Sequence, residues 1–238
     1  MAVASNLMTS EPAFISVSDH AVLVQYGTTI SDELLQSVQA LDRALALQPP
    51  HGVLEVTPAL VNLLIVFDPM QTDHDDLVQA VRPLLSERLS NDVKSTVHTV
   101  EVCYDPALGP DLSAVANSTG MSEANVANMH AGADYLVGMY GFAPGYAYLA
   151  GTPEAIRVPR KKAPVRDVPA GSVIIAGAQC LITTLEMPTG WSIIGRSPVR
   201  VLRPEHEKPF LFEVGDQIRF KSIDMARYQA LMNEQDNG

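Results

Sequence analysis

The sequence is poor in cysteine, in tryptophan and in long apolar runs, and each shortage excludes a class of protein. Its 238 residues include two cysteines, Cys103 and Cys180, whose separation matches neither a metal-binding spacing nor a disulfide framework. No apolar run approaches the roughly 20 residues needed to cross a bilayer. The first residues also lack the basic start and long apolar core of a signal peptide. We therefore expect a cytoplasmic protein with no membrane partner.

Positive charge is also scarce, because the formal net charge is −11. An acidic surface repels nucleic-acid phosphates, so we expect no nucleic-acid partner. The sequence contains one basic cluster, formed by Arg157, Arg160, Lys161, Lys162 and Arg166. This cluster is too small for a nucleic-acid track and is a candidate for binding a smaller anion or a partner.

Several catalytic motifs are missing. The sequence has no glycine-rich phosphate loop ending in Lys-Ser/Thr, no HExxH, no GxSxG and no Cys/His cluster. We therefore expect no metal site in this chain and no self-contained ATP-cleaving or nucleophilic centre. The pattern is typical of a half-site that a partner chain completes.

The first part of the chain predicts a small α+β domain over residues 13–95, after a flexible stretch over residues 1–12. Apolar residues at helical spacing follow Ser31, a good N-cap, and predict a helix to about Leu47. Thr72 is the predicted N-cap of a second helix. Strands are predicted over 14–26, 53–56 and 62–67, and mixed elements of this kind form a helix layer on a sheet.

The second part predicts a β-rich domain over residues 96–227, followed by a polar tail over 228–238. An alternating strand over 96–104 precedes two short helices, one starting near Asp111 and the other ending near His130. From Tyr135 onward, short strands separated by Gly and Pro favour a β-barrel or a sandwich.

The Gly/Pro-rich motifs of this second part are specific. They read GFAPGYAYLAGTP over 141–153, VPRKKAPVRDVPAGSVIIAG over 158–177 and GWSIIGRSPVRVL over 190–202. In order and spacing they resemble the allophanate hydrolase subunit 1 family, which includes 5-oxoprolinase B subunits and sporulation-kinase inhibitors of bacilli. The resemblance implies an α+β fold with a small N-terminal α+β domain followed by a cyclophilin-like β-barrel.

The resemblance also implies a function. The chain would be a subunit of an ATP-dependent 5-oxoprolinase that converts 5-oxo-L-proline to L-glutamate. Its partners would be a larger carboxyltransferase-like subunit and a possible third, A-type subunit, and ATP with Mg would bind together with the partner. Two alternatives remain open: a subunit that hydrolyses an allophanate- or urea-type amide, and a non-catalytic protein-binding regulator such as a histidine-kinase inhibitor.

The motifs supply the candidate site residues. Arg160 is a catalytic and substrate-binding candidate, because a guanidinium can bind a carboxylate or phosphate through two parallel hydrogen bonds. His130 is a candidate acid or base, with a stabilising role at a helix end as its alternative. The other substrate-binding candidates, for each of which packing or loop fastening is the alternative, are Phe142, Pro144, Gly145, Tyr146, Tyr148, Gln179 and Arg196.

The segment Cys180–Thr189 departs from the family pattern. Leu181 and Thr189 stand where the family usually has Gly, and Thr183 stands where it has Tyr. The family's second Pro-Arg pair is replaced by Pro164-Val165, with Arg166 one position later. In a strand a shift of one residue reverses the face of the side chain, so there Arg166 would not replace the missing arginine.

Overall fold

The structure, a computed structural model, describes residues 11–86 and 95–236. The chain divides into two compact units between residues 92 and 93, and each is described by itself. Ten of the twelve residues in the predicted flexible stretch 1–12 lie outside the described residues. Within the described ranges, no helix is both long enough and apolar enough to cross a membrane.

The first unit is a four-stranded antiparallel sheet with helices packed on one face. Its sheet order is β1-β2-β4-β3, and its core combines one face of β2 and β4 with the apolar sides of two helices. The elements are β1 (Ala13–Ser18), β2 (Ala21–Gln25), α1 (Asp32–Leu47), β3 (Val53–Pro58), β4 (Asn62–Phe67), α2 (His74–Val81) and a 3-10 helix (Arg82–Ser86).

The two helices of this unit begin at side-chain caps. The Ser31 hydroxyl accepts a hydrogen bond from the Leu34 amide, as the sequence predicts. For α2 the predicted cap at Thr72 is wrong by one residue, because Asp73 accepts from the Asp76 amide at 2.9 Å. Both residues suit a cap by type, but the carboxylate also gains from the positive end of the helix dipole.

The second unit is a closed seven-stranded barrel, so the α+β fold with a β-barrel is confirmed. The strand order around the barrel is β10-β7-β6-β13-β5-β12-β9. Its strands are β5 (Val97–Cys103), β6 (Asp134–Tyr140), β7 (Ala147–Ala150), β9 (Ser172–Ala176), β10 (Gln179–Ile182), β12 (Ser192–Arg196) and β13 (Gln217–Ile223). Strands β5 and β13 pair in parallel, and the other neighbours pair antiparallel.

Three helices, a two-stranded ribbon and a 3-10 helix lie outside the barrel wall. Helices α3 (Leu112–Thr119) and α4 (Glu123–Ala131) follow β5, and α5 (Met225–Asp236) follows β13. A two-stranded ribbon pairs β8 (Val165–Val168) with β11 (Met187–Thr189). A 3-10 helix over Glu154–Ile156 precedes the basic cluster.

The prediction of a polar tail over 228–238 is corrected by the structure. Most of these residues belong to helix α5, which continues through Asp236. Tyr228 is buried, and Gln235 donates a hydrogen bond to the Pro198 carbonyl at 2.7 Å. The apolar residues of the helix are spread around it rather than along one face, so its sequence shows no clear amphipathic stripe. The buried tyrosine, the Gln235 hydrogen bond and an ion pair of Arg227 with Glu101 at 3.7 Å attach it instead.

The wall formed by β9, β10 and β12 is buried on both faces. Side chains of Val173, Ile175, Cys180, Ile182 and Ile194 point into the barrel core. Their neighbours on the same strands belong to a second cluster on the outside of the wall, together with residues of the β8–β11 ribbon. We call this second cluster the outer layer; its members are Tyr146, Val168, Ile174, Ala176, Leu181, Trp191 and Ile193.

His130 lies inside the barrel core with no exposed surface. Its Nδ1 is 2.7 Å from the Tyr104 hydroxyl, and its Nε2 is 3.3 Å from the Cys180 sulfur. The ring stacks on Phe220 at a centroid distance of 4.6 Å. Burial lowers the pKa of His130 to about 3, so the neutral imidazole is the stable form. This placement removes His130 from any surface that a substrate reaches, and a neutral ring cannot stabilise the helix end by charge, so His130 packs the barrel core.

The buried imidazole predicts a pH-dependent stability. An unfolded histidine titrates near 6.5 and the folded one near 3, so the unfolded state binds the extra proton between these values. Stability from this group is complete above pH 6.5 and falls as the pH drops towards 3, by at most about 1.4 kcal/mol per pH unit. In His130→Gln we expect a lower stability at pH 7 and a shallower pH dependence.

The measurement is urea unfolding of the barrel, followed by the fluorescence of its tryptophan, between pH 4.5 and 6.5. The matched control is His51→Gln, since His51 is exposed in the first unit. An unchanged slope in His130→Gln would show that the buried imidazole does not account for the acid sensitivity.

Candidate functional site

The segment from Val158 to Lys161 crosses one end of the outer layer and is fastened at both sides. The Gly177 amide, in the turn between β9 and β10, donates to the Val158 carbonyl at 2.8 Å. The Lys161 amide donates to the Gly190 carbonyl at 2.7 Å, just before β12. Arg160 lies between these two attachments, so its backbone is fixed while its side chain is exposed.

Arg160 lies over the indole of Trp191, with 5.5 Å from the guanidinium carbon to the ring centroid. This is a cation–π contact, which is strongest with Trp. Trp191 is the single tryptophan of the chain and is only 5% exposed. Tyr148 meets its edge at 5.9 Å with an interplanar angle of 69°. Burial raises the pKa of Tyr148, and the nearby charge of Arg160 offsets part of this rise. The cation and the two aromatic rings therefore lie close together.

The loop between β6 and β7 places an exposed aromatic ring beside this surface. Phe142 is 75% exposed and has a φ of 69°, in the left-handed region that a residue with a Cβ rarely adopts. Its ring lies 5.6 Å from that of Tyr146. Tyr146 is buried, which raises its pKa to about 12 and keeps the phenol neutral. A strained, exposed aromatic residue on a fixed loop is a common feature of binding sites.

Backbone contacts hold this loop rigid. The Gly141 amide donates to the Tyr146 carbonyl at 3.2 Å, and the Thr184 hydroxyl donates to the Pro144 carbonyl at 2.7 Å. Gly145 has a φ of 74°, and a Cβ there would lie 3.1 Å from the Thr184 methyl group. The candidates Pro144 and Gly145 therefore shape the loop. Thr184 was missed as a contributor because it lies in the segment that departs from the family pattern.

Gln179 lies at the same end of the barrel wall. It pairs with Ala176 on β9 and with Ala150 on β7, and it is partly buried. Leu181, two residues later, belongs to the outer layer, so Gln179 lies on that face of β10. The structure therefore brings Gln179 to the surface that carries Tyr148 and Trp191.

Arg196 lies elsewhere, at the opposite end of β12. Trp191 lies five positions earlier, just before β12, and five positions of extended chain correspond to about 16 Å. Its Nε donates to the Ala170 carbonyl at 3.1 Å. It lines a separate groove of about 300 Å³ together with Tyr228 and Gln235 of α5. The predicted substrate-binding set thus divides into two places, because residues of one motif occupy both ends of a strand.

The basic cluster remains unneutralised at its exposed members. Among the ion pairs of the described residues, Lys161 pairs with Asp111, whereas Arg160, Lys162 and Arg166 have no carboxylate partner. Arg166 belongs to strand β8 and lines a groove of about 390 Å³ in the ribbon. It therefore does not replace the arginine that the family usually has at the position of Val165. Free cations on a chain of net charge −11 form a local positive field that attracts anions.

No group of three His, Cys, Asp or Glu residues within 11–86 and 95–236 is arranged to hold a metal ion. We call the surface formed by Phe142, Tyr148, Arg160 and Gln179, over the buried rings of Tyr146 and Trp191, the arginine–aromatic surface. It can bind a small planar anion, with the guanidinium on the charge and the rings on the apolar part.

The left-handed conformation of Phe142 gives a testable prediction. Asn adopts this conformation more readily than Phe, and the exposed ring loses little burial when it is removed. We expect Phe142→Asn to raise the free energy of unfolding by about 0.5–1 kcal/mol and to weaken the binding of a small planar anion. Thermal unfolding and ligand titration of the same sample test both effects.

The control is Asp167→Asn, because Asp167 also has a positive φ, 54°, but lies in the ribbon. This variant retains the loop aromatic and should bind ligand like the wild type. Weaker stability together with unchanged binding in Phe142→Asn would show that the ring serves packing alone.

Three comparisons place these features among known proteins. The family model described as carboxyltransferase domain, subdomain C and D, matches residues 12–212. The 5-oxoprolinase B subunit of Bacillus subtilis is 32% identical over 239 residues, which cover 95% of this chain and 99% of that protein. A crystal structure of TTHA0988 is 35% identical with a TM-score of 0.75, and the match covers 87% of this chain and 40% of that longer chain.

The Kluyveromyces lactis urea amidolyase shares the fold at a TM-score of 0.78 and 19% identity. The match covers 96% of this chain and 16% of that enzyme. At this identity the likeness concerns architecture alone. The family model and the likeness to the Bacillus subtilis protein both extend over most of the sequence, and this chain therefore belongs to the carboxyltransferase domain family, subdomain C and D.

Proposed function

We propose that this chain is the B-type subunit of an ATP-dependent 5-oxoprolinase that opens 5-oxo-L-proline to L-glutamate with a larger carboxyltransferase-like subunit. The observation that carries the proposal is the unpaired Arg160 guanidinium, held over Trp191 on an exposed surface. The names of relatives that match almost from end to end supply the reaction.

The substrate suits this surface. 5-Oxoproline is a flat five-membered lactam that carries one carboxylate. Arg160 would bind the carboxylate through two parallel hydrogen bonds. The exposed ring of Phe142 would contact the lactam, and the Gln179 side chain would bond its amide. The acidic remainder of the protein would repel the substrate elsewhere and leave the basic cluster as the point of approach.

The reaction needs groups that this chain does not supply. The lactam oxygen takes the terminal phosphoryl group of ATP and ADP leaves. One water then adds to the activated carbon and the C–N bond opens, and a second water releases phosphate to leave L-glutamate. ATP with Mg is a substrate here, and the sequence has no glycine-rich phosphate loop. We therefore place ATP at a site shared with the carboxyltransferase-like subunit, with an A-type subunit completing the enzyme.

The test is ATP turnover by this chain mixed with its larger partner and the A-type subunit, with and without 5-oxoproline. We expect 5-oxoproline to stimulate turnover. Arg160→Ala should lower kcat/KM by about 10- to 100-fold, the loss expected for hydrogen bonds between charged groups. The matched control is Arg219→Ala, since Arg219 is an exposed arginine of β13 that pairs with Asp134 at 2.7 Å; it should keep full activity.

Other outcomes separate the alternatives. Turnover on allophanate or urea, but not on 5-oxoproline, would transfer the site to an amide hydrolase. A stable complex without turnover on any of the three substrates would contradict both enzymatic functions and support a protein-binding regulator.

A further inference from the structure

Asp111 occupies the N-cap position of α3, yet its side chain does not cap the helix. A carboxylate at this position ordinarily accepts a hydrogen bond from the first turn and stabilises the helix. Here Oδ2 accepts from the Ile193 amide on β12 at 2.7 Å. The Asp111 amide in turn donates to the Ile193 carbonyl at 3.0 Å. Asp111 thus holds both polar backbone groups of one residue in the barrel wall.

The same carboxylate oxygen pairs with the Lys161 ammonium group. The two side chains are 21% and 22% exposed, so solvent screens this pair less than a surface pair. It is the ion pair that ties the basic cluster to the barrel within the described residues. The Asp111 side chain binds two residues that are distant in sequence instead of capping α3. We therefore expect these two contacts to stabilise the structure more than a helix cap would.

Both contacts lie next to the arginine–aromatic surface. Lys161 directly follows Arg160, and Ile193 lies two residues after Trp191. The turn before Asp111 also fits closely against β12, because a Cβ on Gly109 would lie 2.4 Å from the Ile194 carbonyl oxygen. The turn therefore has little freedom to move, and Asp111 is a fixed point between the two halves of the cation–π pair.

We infer that Asp111 is a positioning residue, which fixes Arg160 over Trp191 through Lys161 on one side and through Ile193 on the other. The inference deepens the proposed function and rests on it for the role of Arg160 in substrate binding. The position of Arg160 over Trp191 can be tested separately from that function.

The first experiment uses the isolated chain and its single tryptophan. Asp111→Asn keeps an acceptor for the Ile193 amide and removes the charge that holds Lys161, and Lys161→Met removes the cation. In both variants Arg160 should leave the indole, with a red-shifted emission and a roughly twofold rise in quenching by acrylamide. Arg160→Ala should give the same change. Lys208→Met is the control, since it breaks an exposed pair with Glu213 away from Trp191.

The second experiment uses the reconstituted enzyme. Asp111→Asn and Lys161→Met should each raise KM for 5-oxoproline about tenfold with kcat changed less than threefold, because substrate binding is lost rather than chemistry. Lys161→Arg, which keeps the cation, should restore KM. In the Arg160→Ala background, Asp111→Asn should add no further loss, as expected for residues that act through one another.

The outcomes are distinguishable. Unchanged tryptophan quenching in Asp111→Asn and Lys161→Met overturns the inference, whatever the activity. A lower melting temperature with unchanged KM and unchanged quenching also overturns it and leaves Asp111 a purely structural role. If the wild-type mixture does not turn over 5-oxoproline, the proposed function fails, while the quenching experiment still decides whether Asp111 positions Arg160.

Discussion

The second unit depends on a barrel wall whose strands are covered by apolar side chains on both faces. Every residue of Ser172–Ala176 is buried, because one set of side chains fills the barrel and the other supports the outer layer. Such a wall cannot slide by one residue without exchanging two packed faces. It gives the loops at its ends a fixed base, and the candidate site is built from those loops.

This fixed base explains how the site is arranged, although the site has no catalytic acid, base or nucleophile among its named residues. Arg160 is attached through the backbone of its neighbours, and Phe142 is held in a conformation that a free loop would not keep. The energy for both constraints comes from the packing below them. The surface presents one cation above a buried indole and the exposed ring of Phe142. Arginine and aromatic residues of this kind are enriched where proteins bind partners.

The sequence predicted the parts that depend on local patterns or on the Gly/Pro motifs. The helix after Ser31 follows from a cap and apolar periodicity, and the barrel follows from short strands with regular punctuation. Sequence order was a poor guide to proximity. Arg196 and Trp191 share a motif and lie at opposite ends of β12, while His130 has the chemistry of a base and lies sealed in the core.

The contacts of Asp111 show why part of the site could not be predicted. Its hydrogen bond reaches Ile193, which is 82 residues away in sequence. The sequence offered only a helix start at this position, which the residue occupies without capping. An ion pair between distant loops leaves no periodic pattern in the sequence, and no short motif contains both of its residues.

The position of β13 has a consequence for how the chain acquires its structure. This strand lies between β5 and β6, and it pairs residues such as Lys221 and Glu101 that are 120 positions apart. During synthesis, the first unit can close its sheet from neighbouring hairpins as soon as it leaves the ribosome. The barrel stays open until its last strand arrives, with β5 and β6 lacking the strand that joins them. The unclosed barrel is therefore the stage most exposed to misassociation.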